Sequence, residues 1–289
     1  MIKLALIATV LLAGSTPAVV AKIRITPGTQ PCAAAGGGGA VWVSDYSAPY
    51  LLKIDPKSNK VVKKIGIGSG SCGLGFGAGS LWIEDTGSNT VSRVSAKTGK
   101  RLKAIDVGNQ PYDATFAFGS AWVTSNLDGD VERIDQAKNR VVKKWPVAGA
   151  VGVVAAHGAV WAGGSDGVTR IDPVSGASLK IPIAAGAGWT AASADAVWVT
   201  SNQGVVRIDP QTNAVTLTVP LKGNIGDPDV VGGKLWAPEI QQNDVAIVDP
   251  ADGSVTRFRV GTGPFVVTQI RGEAWIPSWK GTDVWRVRP

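Results

Sequence analysis

Few side chains in this 289-residue sequence can do chemistry. The single histidine, His157, sits in Ala156-His157-Gly158, which has the composition of a tight turn. A Ser-His-Asp relay needs a histidine beside its nucleophile, and this one has no such neighbourhood. Carboxylates are the better candidates: Glu84 and Glu239, and the pairs Asp227-Pro228-Asp229 and Asp128-Gly129-Asp130. Carboxylates holding calcium or magnesium can polarise a lactone carbonyl, while the same Asp pairs also serve to stabilise loops. The sequence has no phosphate-binding loop, zinc pattern or haem attachment motif.

The elements that must position these groups are marked by tryptophans. Trp42, Trp82, Trp122, Trp161, Trp198, Trp236 and Trp275 return at gaps of 40, 40, 39, 37, 38 and 39 residues. Each lies in an apolar run after a small or Gly-rich turn, such as Ala40-Val41-Trp42-Val43 or Ala196-Val197-Trp198-Val199. Such a period is one supersecondary unit copied along the chain. About 40 residues bury too little apolar surface to stand alone, so the copies must pack together. A second block ends each unit: Lys53-Ile54-Asp55-Pro56-Lys57-Ser58-Asn59 returns as Arg170-Ile171-Asp172-Pro173-Val174-Ser175-Gly176. Pro fixes φ, and Gly or Asn accepts the left-handed region, so these blocks are turns. Alternating runs such as Val61-Val62-Lys63-Lys64-Ile65 flank them, the signature of strands.

Each repeat therefore reads as four strands. Strand a is a small-residue run (32–35, 114–117), strand b carries the tryptophan, strand c the Arg-Ile pair, and strand d is the outer run. The expected fold is all-β, a seven-bladed β-propeller of four-stranded antiparallel blades. The chain stops at Val284-Trp285-Arg286-Val287, a strand c without a strand d. Lys22-Ile23-Arg24-Ile25 reads as a strand d without a blade, and pairing the two closes the ring. Cys32 and Cys72 each lie ten residues before their tryptophan, equivalent positions on neighbouring strands. A Cys32–Cys72 disulfide is expected.

Residues 1–21 have the layout of an export signal peptide: Lys3, an apolar stretch from Leu4 to Gly14 too short to span a bilayer, and small residues permitting cleavage after Ala21. Residues 22–289 form the propeller. A monomer in a bacterial periplasm, or secreted, is expected, with no membrane anchor after cleavage.

The repeats resemble the YVTN-type propeller family, which includes the periplasmic YncE-like proteins. Gly158-Ala159-Val160-Trp161 and Arg207-Ile208-Asp209-Pro210-Gln211-Thr212-Asn213 carry the likeness, which covers residues 22–289. It implies seven blades, export, and a binding role with no assigned catalysis. The repeats also resemble the streptogramin B (virginiamycin B) lyases, which are seven-bladed and rely on top-face histidine and glutamate with magnesium. Here Glu84 and Glu239 match in type, but no histidine accompanies them.

Strand order assigns the loops to two rims. The d-to-a links and b–c loops form the top, and the a–b and Asp-Pro c–d turns form the bottom. Twelve of the 22 acidic residues fall in top segments, whereas the bases Lys63, Lys64, Arg101, Lys103, Lys143 and Lys144 fall on outer strands. Those bases are read as solvating the blade edges. Phosphate would be repelled from such a top face, so a nucleic-acid partner is not expected. In blades four and five the spacing from tryptophan to strand c is 10 residues (Trp161 to Ile171, Trp198 to Ile208), against 12 elsewhere, so the rim should dip there. Trp189, Tyr112, Phe265 and Trp279 stand near the channel mouth, with Asp45, Glu84, Asp85, Asp113, Asn126, Asn202, Asp227, Asp229 and Glu239 around them. Together they make a cup for a small molecule, peptide or protein, neutral or cationic. The rival reading is a divalent-metal lyase or lactone hydrolase in the same cup, using calcium or magnesium.

Overall fold

Seven four-stranded antiparallel sheets form the ring. The computed structural model describes residues 16–25 and 29–289, so residues 1–15 of the expected leader lie outside the described residues. Blade one is Pro31–Gly37, Ala40–Asp45, Tyr50–Asp55 and Lys60–Gly66, and blades two to six repeat the a-b-c-d order. Blade seven takes Thr268–Ile270, Glu273–Pro277 and Asp283–Arg288 from the C-terminal end and Ala18–Arg24 from the N-terminal end. The two ends pair antiparallel, Ile23 opposite Val284 and Lys22 opposite Trp285. The strand starts at Ala18, ahead of the expected cleavage point. A cut after Ala21 would remove the Ala18–Arg288, Val19–Val287 and Ala21–Arg286 pairs and leave those from Lys22 to Arg24.

All seven repeat tryptophans are at most 1 % exposed, wedged between blades. In blades one to four the indole N–H donates to the carbonyl five residues earlier, at the end of strand a: Trp42 to Gly37 at 3.0 Å, Trp161 to Ala156 at 3.0 Å. A buried indole needs such an acceptor. Its ring face carries a cation from strand c: Lys53 over Trp42, Arg93 over Trp82 at 4.6 Å, Arg133 over Trp122, Arg170 over Trp161 at 5.0 Å, and Arg286 over Trp275.

Four of these arginines then reach the next blade. Arg93 Nη1 donates to Gln136 O and Asn139 Oδ1, Arg133 to Pro173 O, and Arg170 to Asn213 Oδ1. Arg286 donates to Pro56 O at 2.7 Å and Asn59 Oδ1 at 3.0 Å, joining the last blade to the first. The turn asparagines thus do two jobs. Asn59, Asn139 and Asn213 hold φ of 55°, 48° and 60°, which Asn tolerates, and each accepts the preceding blade's arginine. In blade four Gly176 takes the left-handed position, and Arg133 keeps only the proline carbonyl. Arg207 of blade five turns instead to Asp195 in its own blade, and blade six has Ile247 at this position.

Replacing Arg286 should therefore cost more than replacing an exposed turn base. Arg286→Ala is expected to lower unfolding free energy in urea by about 1.5–3 kcal/mol, the range for hydrogen bonds to a charged group. Lys57→Ala should change it by less than about 0.5 kcal/mol. Equal midpoints for the two variants would contradict the tether.

Candidate functional site

The top of strand a is where the blades meet the channel, and it begins with a bulge. In blades one, two and three the a–b register shifts between Pro31 and Ala34, Ser71 and Leu74, and Pro111 and Ala114. A bulge frees a backbone amide that must find another acceptor. The residue two after the tryptophan supplies it: Ser44 Oγ accepts from Ala33 N, Glu84 Oε1 from Gly73 N, and Thr124 Oγ1 from Asp113 N. Thr200 does the same for Trp189 in blade five. Ser44 and Thr124 then donate to Cys72 O and Val151 O of the following blade. The disulfide joins blades one and two at this level, with Cα atoms 5.1 Å apart, packed near Val266, Phe265 and Trp279.

Above the bulges the aromatics form one continuous arc. Tyr112 lies 6.3 Å from Trp189, Trp189 meets Phe265 edge-on at 5.2 Å, and Phe265 lies 5.6 Å from Trp279. Tyr46, 40 % exposed, adds an edge contact to Trp279 at 6.0 Å. Tyr112, Trp189 and Phe265 come from blades three, five and seven, so their rings meet over the channel axis. These are favourable aromatic geometries and together make a broad apolar surface with polar rims. Trp279 Nε1 is buried without a hydrogen-bond partner. Sequence reasoning missed Tyr46; its only signal was its place directly after Asp45 in the first b–c loop.

Beneath the rings lies a cavity of about 360 Å³ whose wall includes Asp113, Asp227 and Asp229. Asp113 accepts from Ala114 N and from Val153 N of the next blade, and Asp229 from Val230 N and Gln269 N. Burial drives the Asp113 carboxyl up to about 6. Asp227 is raised well above the carboxylate range by burial and then by the charges of Asp113 and Asp229; Asp229 is raised by burial. Glu84, fully buried, is pushed up by burial and by Asp113, and its Oε2 has no partner. No cationic side chain among the described residues pairs with any of these four.

The other expected site residues serve the scaffold. Asp45, Asp85 and Glu239 end strand b with no exposed surface. Asp45 accepts from Gln30 N and Ser47, and Asp85 from Ser71, Ser92 and Thr90. Glu239 is gripped by both arms of Arg257, at 2.6 and 3.0 Å. Burial works to raise its pKa, but Arg257 and the Lys222 amide hold it below the usual range. Asn126 donates to Ala150 O of the next blade. The outer bases are also engaged: Lys144 pairs with buried Glu132 at 2.5 Å, Lys143 lies over Trp145, and Lys63 donates to Thr98 O. These bases lie on exposed outer strands as expected, and three of them also hold partners there. His157 stands in its a–b turn at φ 51°, 3.0 Å from Ser193 O. Asn202 and Trp189 line a groove of about 610 Å³ across blades four to six, where the b–c loops are short.

No group of three or more His, Cys, Asp or Glu side chains among the described residues comes close enough to hold a metal. The magnesium site of the streptogramin lyases finds no fit here. Glu84 is committed to Gly73 N, Glu239 to Arg257, and the histidine lies on the opposite rim.

No family model matches the chain, and no curated protein matches it in sequence. Solved structures match in shape. Hydrazine synthase of Kuenenia stuttgartiensis superposes with a TM-score of 0.75 at 16 % identity, covering 90 % of this chain and 96 % of that one. BamB of Moraxella catarrhalis gives 0.69 at 15 %, covering 95 % and 98 %. The computationally designed protein Ika8 gives 0.68 at 12 %, covering 92 % and 99 %. A synthase and a designed protein on one architecture show that the likeness reports the fold, not an activity.

The sign of the channel's pH dependence follows from its raised carboxyls. The folded chain keeps protons there that the unfolded chain releases, so this contribution to stability falls as pH rises from about 3.8 to about 6. The turn carboxylates, such as Asp55 and Asp135, are lowered and act only below that window. Asp227→Asn should therefore raise the midpoint of thermal unfolding at pH 7.5 by about 2–4 °C and leave it unchanged at pH 4. Calorimetric scans at the two pH values decide this; a lower midpoint at both would refute it.

Proposed function

We propose that this chain is an exported binding module without catalysis of its own, which receives its partner at the aromatic mouth. The carrying observation is the five-ring arc from Tyr112 to Tyr46 running beside the 610 Å³ groove. Clefts of this size are where folds hold ligands; this one sets Trp189 among the polar side chains of Ser165, Thr200, Asn202 and Asn224, and aromatic anchors dominate recognition energy. The partner class is a peptide segment or small molecule with a planar or apolar group. Export is supported by the Cys32–Cys72 disulfide, which belongs to oxidising compartments, and by the leader-like residues 1–21. The YVTN-type, YncE-like repeat pattern supports the same reading. Metal-assisted lyase or lactonase chemistry has less support, since Glu84 and Glu239 are committed to the scaffold.

Peptides selected by phage display on the purified protein provide the test. Those bound at the mouth are expected to lose at least about tenfold in affinity, or about 1.4 kcal/mol, on Trp189→Ala. Val174→Ala, on the opposite rim where that side chain is 95 % exposed, should leave them unchanged. Selected peptides that bind the Trp189 variant as tightly as the parent would remove the mouth as the recognition surface.

A further inference from the structure

The groove of about 610 Å³ across blades four to six has one aromatic residue in its wall, Trp189, and no acid or base. Asp166, next to Ser165 of the wall, is paired with Lys180. Four glycines line the groove and offer it bare peptide groups. Trp189 is fixed before any ligand arrives. Its backbone N–H donates to Thr200 Oγ1 at 2.9 Å, and its ring rests edge-on against Phe265 at 5.2 Å.

Two amide side chains stand free at this wall. Asn202 and Asn224 are exposed, and their side chains make no hydrogen bond among the described residues. Blade three has the same dipeptide as blade five, Ser125-Asn126 for Ser201-Asn202, but there the amide is used up, donating to Ala150 O of the next blade at 3.0 Å. The loop that carries it is longer, with 12 residues from Trp122 to Ile134 against 10 from Trp198 to Ile208.

Such a wall selects its ligand. A charged group would lose hydration with no opposite charge to replace it. A wholly apolar one would displace water from the amides and return no hydrogen bond. The groove lies across b–c loops and d-to-a links, so it presents no strand edge for a peptide main chain to join. A pyranose ring meets every condition. Its axial C–H bonds form an apolar face that settles on the electron-rich face of an indole. Its adjacent hydroxyls are each donor and acceptor, so a pair of them matches the N–H and C=O of one amide.

We infer that this groove binds a short, uncharged oligosaccharide with equatorial hydroxyls, one pyranose ring lying on Trp189 and its hydroxyls on the Asn202 and Asn224 amides. The groove is part of the mouth, so this site rests on the mouth being the recognition surface and narrows its partner to one chemical class.

Titration calorimetry on the whole protein tests this with cellotriose, maltotriose and triacetylchitotriose, each beside its form oxidised to carboxylates at C6. One-to-one saturable binding of at least one neutral trisaccharide is expected, with its carboxylate form weaker by at least about tenfold. Trp189→Ala, and Asn202→Ala combined with Asn224→Ala, should each weaken the neutral sugar at least about tenfold. The two asparagines are exposed loop residues, so the double variant keeps its fold even if the tryptophan variant does not. Leu127→Ala, 72 % exposed on a b–c loop outside the groove, should leave binding unchanged. No binding of any neutral trisaccharide, equal binding of neutral and carboxylate forms, or full binding by the double variant would each overturn the assignment. If Trp189-dependent peptides are still selected in that event, the mouth stands as a recognition surface and only the ligand class falls; if none are, both fall.

Discussion

The indole of strand b is the contact on which the ring depends. It fills the space between neighbouring sheets, and in four blades its N–H caps the end of strand a. It also offers its face to a strand c cation, which carries the link onward into the next blade. Truncating one such side chain would leave a void costing about 3–5 kcal/mol. The void would open at an interface that every other interface needs in order to close. The junctions after blades one, five and six lack the arginine link, the first of them bridged by the Cys32–Cys72 disulfide instead, and strand a is only three residues long in blades five to seven. The ring is therefore least tied where the groove lies.

Much of this architecture is legible in the sequence because it is written seven times. The tryptophan period gives the blade count, and the two half-repeats at the ends give the closing pair. Cys32 and Cys72 stand at equivalent offsets in neighbouring repeats, so the period and an export leader together make their bridge an expectation, and the structure forms it. The site is less legible, and the reason is specific. Counting Asp45, Asp85 and Glu239 as rim charges assumes that a strand's last residue faces water, whereas all three are turned inward. Glu84 became an amide acceptor because of a bulge that no residue type announces. Arg257, the partner of Glu239, sits 18 residues on, in the outer strand of the same blade. What the sequence did place well were the aromatics, since each stands at the start of strand a or in a b–c loop.

The channel carboxyls run against the rest of the molecule. Elsewhere acids are matched: Glu239 by Arg257, Glu273 by Arg286, Glu132 by Lys144. Around Asp113 and Asp227 they are not, and the fold bears the cost in raised proton affinity. Departures of this kind from local consistency gather at positions kept for use rather than for stability.

The closing strand pair also settles how the molecule would hang from an attachment. Ala18 stands opposite Arg288, so the first and last described residues leave blade seven side by side. They do so on the rim of the a–b turns, where Pro289 abuts Gly232. A lipid, a fused domain or an uncut leader joined at either terminus would orient the aromatic mouth away from its anchor, free to meet whatever passes.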